Sequence, residues 1–305
     1  MSLKIVFMGT PEFSIPTLRL LKNLKYNIVC VYTQPARKKS RGQKILKTPI
    51  HTFSEREGIK IKTTNLKESS AYKEFINLKP DLVVVVAYGQ IIPDLYLNTP
   101  NLLFLNVHAS LLPKWRGAAP IERAIINGDN QTGISIMKIE KKLDSGPIIK
   151  QVKVKIDKGT TSDELTKKLA NIGATTLKDS IDLITSKKIV FTKQEEAKAT
   201  YAKKIEKYET KIIWKDTAEK VILKINAFNS KPGAWLSINN ERFKILKAKE
   251  VEKNGKEGEV LDENFTIGCA KNAIQILRLQ KEGKNPTNIS EFLVGNKIQK
   301  GTQLN

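Results

Sequence analysis

Leu82-Val83-Val84-Val85-Val86-Ala87 is the stretch that decides the fold of this chain. Six apolar residues in a row, four of them valine, show no alternation between a wet and a dry face. A strand with that pattern is buried on both sides, which is the habit of parallel sheets covered by helices. Working outward, residues 102–107 read as a further strand. Residues 4–8 form a short apolar run followed by the turn-like Gly9-Thr10-Pro11, then a helical pattern over 14–24. Residues 26–32 give one more apolar strand. The alternation of strand and helix predicts an α/β domain with a mostly parallel sheet, and the loops at the carboxyl edge of such a sheet are where ligands bind.

Farther along, a helix is expected from residue 118 to 126, then the turn Asn127-Gly128-Asp129. A strand over 133–139 leads to Leu143-Asp144-Ser145-Gly146. Residues 162–183 have the stripe of a long amphipathic helix, marked by Leu165, Leu169, Ile172, Leu177, Ile181 and Ile184. The segment around 193–207 is polar and lacks a sustained apolar face, so it reads as a linker with a boundary near 205. Beyond it come a short helix over 217–228, the turn Ser230-Lys231-Pro232-Gly233, and short strands at 235–238, 242–248, 258–261, 265–269 and 273–279. Strands so short and so regularly interrupted predict a small barrel. The expected division is a catalytic domain over 1–192, a linker over 193–206 and a second domain over 207–305.

Composition narrows the function. With 305 residues, 40% hydrophobic and 28% charged, the chain has the make-up of an ordinary globular protein. No apolar run approaches the roughly 18 to 20 residues of a bilayer span, so no membrane partner is expected. The opening Met1-Ser2-Leu3-Lys4-Ile5-Val6-Phe7 runs straight into a strand without the order of a secretory signal, and a cytoplasmic location is expected. Cys30 and Cys269, each in an apolar run, write no disulfide framework. With only two histidines, His51 and His108, no metal site is expected. The net charge of +22, from 53 basic against 31 acidic residues, favours a polyanionic partner, with nucleic acid leading. Part of that excess is lysine that accompanies abundant Asn and Ile, a compositional bias.

Asn106 and His108 lie two apart at a strand end, so both side chains point to the same side of the chain. Asp144 sits on another loop. An amide that donates to a developing oxyanion, an imidazole that shares the task or moves a proton, and a carboxylate that orients the imidazole make a kit for acyl transfer. The nucleophile can be an amine on the substrate. Alone, each residue has a plainer reading: a structural histidine, an Asx turn, a turn aspartate. Gly9 reads as close backbone packing or as part of the pocket wall, and no Gly-x-Gly-x-x-Gly is present.

The surrounding text is more specific. Asn106-Val107-His108-Ala109-Ser110-Leu111-Leu112-Pro113-Lys114-Trp115-Arg116-Gly117-Ala118-Ala119-Pro120-Ile121 is followed by Gly128-Asp129, Thr132-Gly133, Ile136-Met137 and Leu143-Asp144-Ser145-Gly146. With Phe7-Met8-Gly9-Thr10-Pro11-Glu12-Phe13 and Val86-Ala87-Tyr88-Gly89-Gln90-Ile91-Ile92-Pro93, it closely resembles the 10-formyltetrahydrofolate-dependent formyltransferases. The likeness is strong to about residue 150 and weaker beyond about 205. It implies a Rossmann-like catalytic domain, a smaller OB-like C-terminal barrel, and transfer of a formyl group from 10-formyltetrahydrofolate. The version resembled formylates the amino group of methionyl initiator tRNA.

What the resemblance implies for individual residues is as follows. The catalytic trio falls on Asn106, His108 and Asp144. The folate-contacting segments fall on Val86, Ala87, Tyr88, Gly89, Gln90, Ile91 and Ile92, on Ser110, Leu111, Leu112 and Pro113, and on the loop from Glu140 to Asp144. A basic insertion expected to enter the tRNA acceptor stem falls on Arg37, Lys38, Lys39, Arg41 and Lys44. Arg41 is its key arginine, suited to forked phosphate contacts and base stacking. The run Lys38-Lys39-Ser40-Arg41-Gly42-Gln43-Lys44 departs from the family's usual Pro-Ala-Gly-Arg-Gly-Lys-Lys. In the second domain, anchored by Ala227-Phe228-Asn229 and Pro232-Gly233-Ala234-Trp235, Lys203, Lys204, Lys207, Lys244 and Lys247 are candidates for the tRNA backbone. Trp214 and Trp235 read as packing residues. A monomer is expected.

Two other readings stand beside this one. An amino-sugar nucleotide formyltransferase has a similar layout, although the basic loop and Ala118-Ala119-Pro120-Ile121 favour tRNA. A noncatalytic RNA-binding protein would not need folate. A glycinamide ribonucleotide enzyme would end near residue 200 and lacks the second domain.

Overall fold

The structure is a computed structural model that describes residues 3–39, 44–229, 231–296 and 298–304. Chain order begins with β1 (Lys4–Gly9), α1 (Ile15–Asn23), β2 (Asn27–Tyr32), β3 (Arg37–Lys39), β4 (Lys44–Leu46), α2 (Pro49–Arg56), β5 (Ile61–Lys62), α3 (Ser69–Ile76), β6 (Leu82–Val86), α4 (Asp94–Leu97) and β7 (Leu103–His108). It continues through β8 (Arg116–Gly117), α5 (Pro120–Ile126), β9 (Gln131–Lys138), β10 (Ile148–Lys155), α6 (Ser162–Thr185) and β11 (Tyr201–Ala202). The last part holds α7 (Ala218–Ala227), β12 (Ala234–Ile238), β13 (Glu241–Val251), β14 (Thr266–Gly268), β15 (Ala273–Lys281), β16 (Thr287–Asn288) and α8 (Ile289–Gly295).

Two compact units divide the chain. The first takes Met1–Gly117, Thr132–Val154 and Thr166–Tyr201. Its seven-stranded sheet has the order β10-β9-β7-β6-β1-β2-β5. β1 runs parallel to β2 and to β6, β6 parallel to β7, and β2 parallel to β5, while β9 lies antiparallel to β7. The sheet is thus the mostly parallel one expected. All five residues of β6 are buried, because helices cover both faces of a central strand. Beside it, Phe75, Tyr96 and Phe104 pack ring against ring, with Phe75 centroids 5.0 Å from Tyr96 and 6.1 Å from Phe104. In α6 the expected stripe is buried at Leu165, Leu169, Leu177 and Ile181. β10 and the two-residue β5 escape a reading by periodicity. β10 mixes apolar residues with Lys and Gln because much of it is wet, and β5 is too short to carry a period.

The second unit takes Ala118–Gln131, Lys155–Leu165 and Ala202–Asn305. Its antiparallel sheet has the order β12-β13-β15-β14, and β16 also pairs with β15, at Arg278 and Leu279. Leu236, Phe243, Ile245, Ile274 and Ile276 are buried, and the residues alternating with them in β12 and β13 are not, the pattern of strands packed on one face. Thr217 caps α7 by accepting from the Lys220 N–H at 3.3 Å, and α7 buries Val221 and Ile225. α5 packs against α7 in this unit. Residues 258–261, expected as a strand, make isolated bridges: Val260 with Ile267, and Glu259 with Gln303. Trp214 is buried as expected, whereas Trp235 is half-buried, with the Arg242 guanidinium 4.4 Å from its ring centroid. Both cysteines are buried thiols, and burial raises their pKa to about 11 for Cys30 and about 12 for Cys269.

Candidate active site

β7 delivers Asn106 and His108 to the carboxyl edge of the first unit's sheet. Asn106 stands opposite Val85 of β6 and Met137 of β9, and His108 opposite Ser135. The strand geometry persists to His108, so the two side chains share a side as their spacing requires. Asp144 arrives from the loop after β9. Its Oδ1 accepts a 3.3 Å hydrogen bond from Asn106 Nδ2, and its Oδ2 lies 3.6 Å from His108 Nδ1. The three groups that the sequence singled out therefore converge in space.

Two contacts in this site have no counterpart in the sequence reading. His108 Nε2 lies 2.9 Å from the backbone oxygen of Trp115. A carbonyl only accepts, so Nε2 carries the hydrogen and Nδ1 is the nitrogen presented to Asp144. The orienting bond on the imidazole thus comes from a peptide group, while the carboxylate faces the other nitrogen at a distance beyond a direct hydrogen bond. Asp144 Oδ2 is itself held by the Gly117 N–H at 2.8 Å. Gly117 has φ +119, a conformation that a side chain would strain, and Trp115 has φ +62.

The loops expected to meet folate surround this trio. The chain leaves β6 through Ala87 and Gly89, with φ +48 and +75. Side chains hold the carbonyls of Val86, Tyr88 and Gly89. Ser14 Oγ donates to Val86 O at 2.6 Å, Thr10 Oγ1 to Tyr88 O at 2.7 Å, and Gln34 Nε2 to Tyr88 O and Gly89 O at 3.1 and 2.9 Å. Tyr88 and Ile92 are buried, Gln90 is half-buried, and Ile91 is 81% exposed. Gly9 packs as expected: a side chain there would place Cβ 2.7 Å from the Phe7 ring and 2.9 Å from Ser14.

The turn over 110–113 is fixed by two polar residues. Ser135 Oγ donates to Ser110 O at 2.6 Å and accepts from Leu112 N at 3.1 Å and from Gln151 Nε2 at 2.8 Å, while Gln151 Nε2 also donates to Leu112 O at 2.9 Å. Leu111 and Pro113 are half-buried. In the third loop Glu140 is exposed and Leu143 is 61% exposed. Lys141 pairs with Asp94 of α4 at 2.8 Å, which ties this loop to the one after β6.

The expected tRNA contacts fall in both units. In the first, Arg37, Lys38, Lys39 and Lys44 belong to the β3–β4 hairpin, where Arg37 pairs with Leu46, and Arg37 is exposed. Arg41 lies outside the described residues. In the second, Lys203, Lys204, Lys207 and Lys247 are exposed. Lys244 is half-buried, and burial together with the nearby Arg242 and Lys231 lowers its affinity for its proton. Among the described residues no group of three His, Cys, Asp or Glu side chains is disposed to hold a metal ion, and no helix is long and apolar enough to cross a membrane.

Residues 3–181 match the family model described as formyl transferase, and residues 204–297 match the one described as formyl transferase, C-terminal domain. The chain belongs to the formyl transferase family. It is 46% identical over 307 residues to the methionyl-tRNA formyltransferase of Pelagibacter ubique, covering 100% of this chain and 99% of the relative. It is 42% identical over 304 residues to the methionyl-tRNA formyltransferase of Paramagnetospirillum magneticum, covering 99% and 100%. Among solved structures, the N-formyltransferase from Helicobacter canadensis in complex with folinic acid and dTDP-3-aminofucose superposes with a TM-score of 0.68. At 21% identity, over 92% of this chain and 99% of that one, it shares the fold.

Proposed function

We propose that this protein transfers a formyl group from 10-formyltetrahydrofolate to the free amino group of methionyl initiator tRNA, giving N-formylmethionyl-tRNA. The observation that carries the reading is the convergence of Asn106, His108 and Asp144 at a sheet edge. It occurs in a chain that aligns end to end with methionyl-tRNA formyltransferases at 46% and 42% identity. An amino-sugar nucleotide as acceptor has only a shared fold in its favour.

The folate supplies a formyl carbon on N10 that is open to attack. The amine nitrogen bonds to that carbon, the bond from carbon to N10 breaks, and the amine loses one proton while N10 gains one. Asn106 Nδ2 has two hydrogens, of which Asp144 takes one, so the other is available to the oxygen that gains charge. His108 is held at Nε2, which leaves Nδ1 beside Asp144 as the place where an amine proton is received and passed on. Residues 86–92, 110–113 and 140–144 would hold the folate. Their fit rests on exposed apolar side chains at the rim, Ile91 and Leu143, which suit a flat ring, beside polar backbone that is already anchored.

The basic residues Arg37, Lys38, Lys39, Arg41 and Lys44 would meet the acceptor stem. Lys203, Lys204, Lys207, Lys244 and Lys247 would meet the tRNA backbone, with the +22 net charge steering the approach. The division into a catalytic domain over 1–192, a linker over 193–206 and a tRNA-binding domain over 207–305 follows this assignment. The trio comes from one chain, which suits a monomer, and the substrate places the reaction in the cytoplasm. Incubation with 10-formyltetrahydrofolate and methionyl initiator tRNA, methionyl elongator tRNA or an amino-sugar nucleotide tests the reading. Formyl on the initiator methionyl amine supports it, and formyl on the sugar amine, or on none, refutes it.

A further inference from the structure

We propose that Gln194 is a positioning residue for formyl transfer, acting through the backbone of the loop that carries Asp144. The inference rests on the function proposed above. Gln194 lies in a stretch that reads as a polar linker, yet it is only 8% exposed. Its amide is fully used. Nε2 donates to the carbonyl of Asp144 at 2.9 Å and to that of Gly146 at 2.7 Å, while Oε1 accepts from Arg116 Nε at 3.1 Å and Nη2 at 2.9 Å.

Asp144 needs such an anchor. Its φ of +46 is a left-handed conformation that costs a non-glycine residue about 1 kcal/mol or more and persists only where the surroundings impose it. Two residues on, the loop is wedged against β9, since a side chain on Gly146 would place Cβ 1.9 Å from the Lys138 carbonyl oxygen. Gln194 clamps both peptide groups from one side. On the other side it fixes Arg116, a 1% exposed arginine whose Nη1 reaches Glu196 Oε2 at 2.9 Å and whose neighbour Gly117 donates to the Asp144 carboxylate. One side-chain amide therefore locks together the segment that holds Asp144 Oδ2 and the loop that presents Asp144. Because hydrogen bonds to a fixed frame set position rather than polarity, the expected effect falls on the chemical step and leaves substrate binding intact.

Two substitutions separate positioning from bulk stability. Gln194→Glu keeps an acceptor for Arg116 but turns its other oxygen against two carbonyls, whereas Gln194→Met keeps the shape and removes all four bonds. Initial rates with 10-formyltetrahydrofolate and methionyl initiator tRNA, read beside thermal melts, are the test. Both variants are expected to lose at least tenfold in kcat while the KM for tRNA and for folate stays within about twofold, with Gln194→Glu melting close to wild type. Wild-type kcat in Gln194→Glu would overturn the proposal, because holding Arg116 would then suffice. So would loss of rate only in proportion to loss of folded protein in both variants. Failure of the wild type itself to formylate the tRNA would instead refute the function on which the inference rests.

Discussion

His108 Nε2 and the carbonyl oxygen of Trp115 lie 2.9 Å apart, and that one bond settles which imidazole nitrogen faces the site. The chain has two histidines, so their ring nitrogens are readily resolved by 15N NMR of histidine-labelled protein. His108 is expected to keep a hydrogen on Nε2 at every pH at which the fold persists. A neutral ring with its hydrogen on Nδ1 would contradict the arrangement.

The trio should govern turnover and not folding. His108→Ala, Asp144→Asn and Asn106→Ala are each expected to lower kcat by about a hundredfold or more, with unchanged circular dichroism. Asn106 and Asp144 are half-buried, so substitutions there are tolerable to the core. Near-normal turnover in His108→Ala or Asp144→Asn would remove the assignment.

Arg41 stands on the sequence alone. Arg41→Ala is expected to raise the KM for tRNA, or lower kcat/KM, by about tenfold without altering folate affinity, since a forked phosphate or base contact would be lost. Steady-state kinetics with each substrate varied in turn will show it, and unaltered tRNA kinetics would count against the basic loop.

The second unit contains a pH-sensitive clasp. Arg123 Nη1 and Nη2 hold the Glu209 carboxylate at 2.6 and 3.0 Å, and this pairing keeps that carboxyl below its ordinary range. Its stabilisation is therefore present above the ordinary carboxylate range and lost as pH falls through the depressed value. Glu209→Gln is expected to cost about 1 kcal/mol at neutral pH and progressively less as the pH falls through that depressed value. A melting-temperature difference that persists undiminished into acid would contradict it.

Much of the fold is legible by period. The run of valines in β6, the short apolar strands β1, β2 and β7, and the stripe of α6 each declare their burial because a covered face imposes its repeat on the chain. The anchors of the loops are not legible in that way. Thr10, Ser14 and Gln34 hold the turn after β6, and Ser135 and Gln151 hold the turn after β7. They are single polar residues with partners far along the chain, and they carry no repeat.

By itself, the sequence determined a mostly parallel sheet, a second domain of short strands, and which amide, imidazole and carboxylate to watch. Local order is enough for that, since strand spacing alone puts Asn106 and His108 on one side. Only the tertiary structure decided that the Trp115 carbonyl orients the imidazole, that the Gly117 N–H holds Asp144, and that Gln194 reaches Asp144 across 50 positions. The physical reason is that a hydrogen bond depends on where two groups meet in space, and backbone partners such as a carbonyl or an N–H are present at nearly every residue and leave no mark in the sequence.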